Sequence, residues 1–248
     1  MTVDLNCDLG EGAGQDEVLM PLITSANIAC GAHAGDEATM RATVALAKRH
    51  GVAIGAHPGF ADRENFGRRE LALTPGEVGE LVAAQVQRLR GIAGEAGAEV
   101  SHVKLHGALY NLASRDPAWA ECIAETVGGM EWGPALFALA GSVLDRLARA
   151  RGDLPVWSEV FADRTYERDG SLTPRARAGA VIADEEAAIA QVLRMVREGV
   201  VRATDGSDVA IRAETICLHG DNPRAVAFAG RLRKELAAAG IALKASRA

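Results

Sequence analysis

The chain has 248 residues, with 27 Lys and Arg against 33 Asp and Glu, and a formal net charge of -6. At about 150 residues per domain, that length fits one large domain or two small ones. Hydrophobic residues at 48% and charged residues at 24% are ordinary for a folded globular protein, which excludes a disordered chain, a collagen-like one and a small disulfide scaffold. A mildly acidic chain without a long basic run is poorly suited to gripping a phosphate backbone, so nucleic acid is not an expected partner. No apolar run reaches the roughly 18 residues of a membrane span. With 3 Trp, 2 Tyr and 5 Phe, the core must be built from Ala, Val, Leu and Ile, fillings that suit packed helices and parallel strands.

In chain order, the first apolar run is Val3–Asp8, within an N-terminus (MTVDLNCDLGEG) whose Asp4 and Asp8 stand where a signal peptide needs basic and then apolar residues. A cytoplasmic protein is expected. Side chains alternate along a strand, so Asp4, Asn6 and Asp8 share one face while Val3, Leu5 and Cys7 share the other. Gly10, Gly12 and Gly14 follow, a spacing that fits neither a P-loop nor a dinucleotide fingerprint and reads as a turn or a backbone-lined anion pocket.

Further strands are expected at Ser25–Cys30, Val52–His57, His102–His106, Ala135–Ala140, Val156–Phe161 and Thr215–His219, with Ile241–Lys244 as a possible eighth. Between them, apolar positions at three- and four-residue spacing predict helices over Glu37–Arg49, Gly76–Ala96, Glu185–Glu198 and Arg224–Ala239. Thr74, Pro75 and Glu77 form a helix start, with Thr74 as cap. Seven or eight such units predict an α/β fold, a parallel (β/α) barrel closed by seven or eight strands, with an open doubly wound sheet as the alternative. No Pro/Ser-rich linker interrupts the chain, so residues 1–248 read as a single domain. The longest connection, Ala162 to Asp184, is too polar for a core element and reads as a lid or subsite loop.

Cys7, Cys30, Cys122 and Cys217 form no CxxC pair and read as free buried thiols, with a nucleophilic Cys30 disfavoured. The histidines carry a stronger signal. Four of six recur beside glycine at strand ends: His33 in GAHAGD, His57 in GAHPGF, His106 in KLHGAL and His219 in CLHGDN. In a parallel barrel the active site forms at these ends. Each alone would more often be structural; four together, with glycine leaving room for a ligand, point to a site. Lys104 lies two residues before His106, on the same face, so the pair can hold an anionic oxygen and move protons. His50, at a helix C-terminus, and His102 read as structural. Glu159 is a carboxylate inside an apolar strand, either a catalytic acid–base or a scaffold partner of Lys104 or an Arg. Arg68 and Arg69 offer fixed positive charge for a carboxylate or phosphate, or a solvated pair; Asp163 and Arg164 stand just beyond the Glu159 strand.

The segments LNCDLGEG, SANIACGAHAGD, GAHPGFADRENFGRRE, VKLHGALYN, EVFADRTYERDGSL and ICLHGDNPRAV resemble the LamB/YcsF family from the first strand to the last helix. One departure is Ala32 in GAHAGD, where Phe is expected in many relatives. The resemblance implies a distorted barrel of the glycoside hydrolase/deacetylase type. It also implies ATP-dependent opening of 5-oxo-L-proline (pyroglutamate) to L-glutamate, with ATP and Mg²⁺ used by a complex with 5-oxoprolinase subunits B and C. Within that reading Asp8, Lys104, His106, Glu159 and His219 are the expected catalytic residues, and Asn6, His33, His57, Arg68, Arg164 and Asp221 the expected substrate contacts. Segments Asp62–Arg69 and Asp163–Ser171 are expected to meet the partner subunits. Homo-oligomerisation is left open. Two rivals stand beside it: a metal-dependent deacetylase-like hydrolase using Asp8, His33 and His57, and a non-catalytic ligand-binding or regulatory subunit.

Overall fold

The computed structural model describes residues 1–218 and 225–245. Seven parallel strands close a ring: β1 (Thr2–Leu9), β2 (Ser25–Ala29), β3 (Ala53–His57), β4 (Val100–Lys104), β5 (Ala135–Leu139), β6 (Val156–Phe161) and β9 (Thr215–Leu218). Closure comes from β9, which pairs with β6 on one side (Glu159 beside Thr215) and with β1 on the other (Asn6 beside Cys217). The eighth run forms only the two-residue β10 (Ala242–Leu243), which pairs with Thr2 and Val3 at the start of β1 and stays out of the ring.

The surrounding helices are α1 (Asp16–Leu19), α2 (Glu37–His50), α3 (Pro75–Glu95), α4 (Gly107–Arg115), α5 (Pro117–Gly128), α6 (Val143–Arg151), α7 (Glu185–Glu198) and α8 (Ala225–Ala238). Their ends are written locally. The Thr74 hydroxyl accepts from the Glu77 N–H while the Glu77 carboxylate accepts from the Thr74 N–H, and Pro75 takes the first helical position, so α3 starts where its capping box forces it to. Asp116 separates α4 from α5 by accepting from Ala118 and Trp119. Asp36 and Asp184 cap α2 and α7 in the same way. A small antiparallel hairpin, β7 (Val200–Arg202) with β8 (Asp208–Ala210), lies outside the ring. No helix among the described residues is long and apolar enough to cross a membrane.

The apolar layer lies between strands and helices, with Leu5, Ile28, Val103 and Ile216 fully or almost fully buried against Val44, Val86 and Leu232. The polar alternation of β1 therefore has a destination, the barrel interior. There Asp4 accepts hydroxyl bonds from Thr24, Ser25 and Thr215 at 2.5–2.7 Å. One layer up, the Asn6 amide donates to Glu159 and Thr215, and Asn27 donates to Asn6 and Asp8. A branched-apolar filling is the norm for such barrels; here the interior is a stack of paired polar groups, each satisfied by a neighbour. His102 completes it, stacked on Phe137 at 4.2 Å and 2.8 Å from the Asn27 side-chain amide oxygen Oδ1.

Candidate active site

The polar stack opens at the C-terminal ends of the strands into a cavity of about 850 Å³. Asp8, His57, Lys104 and His106 form its floor, and Arg68, Arg146 and Arg175 stand among its outer lining. The long connection after β6 supplies part of the wall, residues 169–176, which fits the subsite-loop expectation. It is held in place by Tyr166, fully buried, whose hydroxyl accepts from the Phe161 N–H at 2.8 Å.

Lys104 is the centre of the floor. Its ammonium lies 2.7 Å from Asp8 Oδ1, 3.2 Å from Glu159 Oε1 and 3.0 Å from Cys217 Sγ. Burial works against its charge, yet Asp8, Cys217 and Glu159 outweigh burial and hold the pKa well above its ordinary value. Glu159 is fully buried: Oε1 accepts from Asn6 at 3.0 Å and Oε2 from the Tyr110 hydroxyl at 2.7 Å. Both of its oxygens are occupied behind Lys104, so of the two readings of Glu159 the scaffold one matches its surroundings. Asn6 is likewise sealed inside the stack rather than on the cavity wall.

Three histidines converge beside this pair. His57 Nδ1–H donates to the Lys104 carbonyl at 2.8 Å, and His106 Nε2–H donates to the Phe66 carbonyl at 2.9 Å. Those carbonyls fix the tautomers, because a carbonyl can only accept. His57 Nε2 and His106 Nδ1 then face each other at 3.0 Å, and Glu11 Oε1 lies 3.8 and 3.2 Å from them. His33 stacks face to face on His106, with ring centres 3.7 Å apart, and its Nε2 reaches Glu11 Oε1 at 3.1 Å. Burial would raise the Glu11 carboxyl, but the imidazoles of His106 and His33 beside it bring it down to about 2. Burial lowers His33 to about 4. His57 lies above its ordinary value, since Asp8 Oδ2 at 3.4 Å outweighs burial.

Two glycines beside these histidines have a different use from the one expected. A Cβ at Gly59 would lie 2.9 Å from His33 Nδ1, and one at Gly55 would lie 2.0 Å from His102 Nε2, so these two glycines make room for imidazoles, while Gly107 beside His106 lines the cavity. In the glycine turn after β1 the Gly10 N–H is taken by Asp16 Oδ2 at 2.8 Å. Arg164, expected to touch substrate, is among the residues lining the cavity, and its guanidinium also donates to the carbonyls of Ala180 and Thr173, which clamps the loop. Arg68 does reach the cavity, its guanidinium 5.0 Å from the centre of the Phe66 ring. His219 and Asp221 lie outside the described residues. Cys30 is pushed up to about 12 by burial, which leaves it no thiolate for attack. Cys7 and Cys217 are also buried and unpaired, while Cys122 is only half-buried.

Sequence reasoning misses Glu11 and Tyr110. For Glu11, inside LNCDLGEG, the available signal is a carboxylate two residues beyond the strand. Tyr110 sits in KLHGALY one helical turn after His106, where a lone aromatic in a helix carries no mark of a polar role.

The comparisons with known proteins agree on a family. The family model described as "LamB/YcsF family" matches residues 3–248. The chain is 52% identical over 249 residues to the A subunit of 5-oxoprolinase from Bordetella pertussis, covering 98% of each. The crystal structure of the lactam utilization protein from Thermus thermophilus has a TM-score of 0.92 and 46% identity, covering 99% of this chain and 100% of that one. A family 4 carbohydrate esterase from Streptomyces lividans, at a TM-score of 0.52 and 12% identity over 98% of this chain and 91% of its own, shares the fold alone.

Proposed function

We propose a function from one premise: the chain belongs to the LamB/YcsF family. On this reading it is the hydrolytic A subunit of a cytoplasmic 5-oxoprolinase, which with subunits B and C opens 5-oxo-L-proline to L-glutamate using ATP and Mg²⁺. The observation that carries the reading is the charged floor of the cavity, where a buried ammonium and a carboxylate stand 2.7 Å apart beneath a space open to small molecules. The names of the relatives, one belonging to a 5-oxoprolinase and one to a lactam utilization protein, support it.

A five-membered lactam is an unreactive amide, and ring opening needs its oxygen activated. ATP, when bound, supplies the phosphoryl group that makes that oxygen a leaving group. The chain's own residues do the rest. Lys104 offers N–H donors toward the lactam oxygen; the Cys217 thiol is the weakest of its acceptors and the one a substrate oxygen would replace. Asp8 Oδ2, beside His57, takes a proton from the water that adds to the acyl carbon. The C–N bond breaks and the ring nitrogen gains a proton; a second water then takes the acyl carbon as phosphate leaves, so one ATP and two waters yield the carboxylate of glutamate, ADP and phosphate. Arg68, Arg146 and Arg175 favour the negative charge of substrate carboxylate or phosphate at the outer end. His219 and Asp221 complete the proposed set.

No P-loop is present in the sequence, and the one glycine-rich turn has its leading N–H occupied. The isolated chain is therefore expected to release little or no glutamate from 5-oxo-L-proline with ATP, and adding subunits B and C should raise that rate strongly. The segments Asp62–Arg69 and Asp163–Ser171, beside the mouth, are the proposed contacts. Full turnover by the chain alone, unaffected by the partners, would replace this reading with a self-sufficient hydrolase.

A further inference from the structure

The point between His57 Nε2, His106 Nδ1 and Glu11 Oε1 has a feature that the lactam reading does not use. The opposite nitrogen of each imidazole is committed to a backbone carbonyl, Lys104 for His57 and Phe66 for His106. With both imidazoles neutral, two lone pairs and a carboxylate oxygen face one another across 3.0, 3.2 and 3.8 Å. Three acceptors cannot be stable at that spacing without positive charge between them. The carbonyl-anchored imidazole is also the usual support of a metal-bound histidine, since the second hydrogen bond fixes both tautomer and ring direction.

We infer that Glu11, His57 and His106 bind one divalent transition-metal ion of the zinc class. A tetrahedral ion with bonds of about 2.0–2.1 Å places its ligands about 3.3 Å apart, and the three separations here straddle that value. Two imidazoles with one carboxylate form a donor set that leaves a coordination position open toward the cavity. His33 is the orienting group: its ring lies parallel to His106, within 1°, so its nitrogen points along a different plane and holds Glu11 Oε1 instead. The four residues bring one donor atom each within 4.8 Å of one another. This differs from the Asp8, His33 and His57 set expected from the sequence. Asp8 Oδ1 is committed to Lys104 and Asn27, and His33 is committed to Glu11. The ion would polarise an oxygen brought to the floor, and the site stands independently of which substrate that oxygen belongs to.

The test uses the purified full chain, stripped with chelator and titrated calorimetrically with zinc chloride. Wild-type protein should bind one Zn²⁺ per chain and melt at a higher temperature when loaded. Glu11→Gln and His106→Gln should each weaken binding at least about 100-fold, and His33→Gln about 10- to 100-fold as an orienting residue. Cys122→Ser, which removes the half-buried thiol, should bind as wild type. X-ray absorption of the zinc-loaded wild type should show two imidazole ligands and no sulfur, an outcome that needs no variant to fold. Absence of stoichiometric uptake, uptake unchanged in both Glu11→Gln and His106→Gln, or sulfur ligation would overturn the site. The first of these outcomes would leave a shared proton between His57 and His106 as the positive charge.

Discussion

Lys104 and Glu159 would be an expensive burial if either stood alone, because an ion without partners in a protein interior costs several kcal/mol. Here each is held by more than one group, and Tyr110 closes the set by donating to Glu159 Oε2 at 2.7 Å. Tyr110→Phe removes that donor and leaves a buried carboxylate oxygen short of one bond. The expected cost is about 1–3 kcal/mol of stability by chemical denaturation. Turnover of the assembled complex should also fall through displacement of Lys104; an unchanged denaturation midpoint would mean that Glu159 finds another donor. Asp8, Lys104, His57 and His106 are legible in the sequence because polar residues alternating within apolar strands have nowhere to go but the barrel interior. Glu11 is not, since it stands in a glycine-rich turn where a carboxylate ordinarily faces water. The second role of Arg164, as a clamp on its own loop, is not legible because a loop arginine gives no sign that carbonyls will take its donors.

At the scale of elements, the ring depends on how closely β3 and β4 can approach. Their register shifts between Ile54 and Gly55, opposite the buried His102 ring. Gly55→Ala would set a methyl group 2.0–2.4 Å from three atoms of that imidazole. Overpacking of this kind costs about 1–3 kcal/mol, and the rigid stack on Phe137 leaves the ring little room to yield. A midpoint in denaturant equal to that of wild type would show that the ring moves freely. The seven closing strands are readable because each is an apolar run ended by polar or glycine residues. The capping box at Thr74 sets the start of α3 for the same local reason. The β7–β8 hairpin is not readable, because strands of three residues are too short for alternation to register. The run at Ile241–Lys244 has strand composition but finds only the first two residues of β1 to pair with, so it cannot join the ring.

For the whole molecule, the buried interior ties folding to pH. His102 is held down to about 3, chiefly by burial and then by Lys104 and His57, so it stays neutral when folded. An unfolded chain protonates that group near its ordinary value of about 6.5. Between those limits the unfolded state binds more protons, so stability falls as pH drops from about 6.5 toward 3. His33, lowered to about 4, acts in the same direction. Melting temperatures across this range should decline, and His102→Gln should show a shallower decline; equal slopes would mean that other groups carry the acid sensitivity. A continuous apolar layer joins all seven barrel strands, and we propose that residues 1–248 unfold as one cooperative unit, with fluorescence and circular dichroism transitions that coincide. The central claim is that lactam opening takes place on the Lys104–Asp8 floor, and it is tested most directly by glutamate release from the reconstituted complex carrying Lys104→Met in this chain. Loss of a preorganised donor at developing negative charge costs about 10²–10³ in kcat, so the rate should fall at least 100-fold while the complex still assembles and elutes at its normal size. An intact complex turning over 5-oxo-L-proline at close to the wild-type rate would contradict the account.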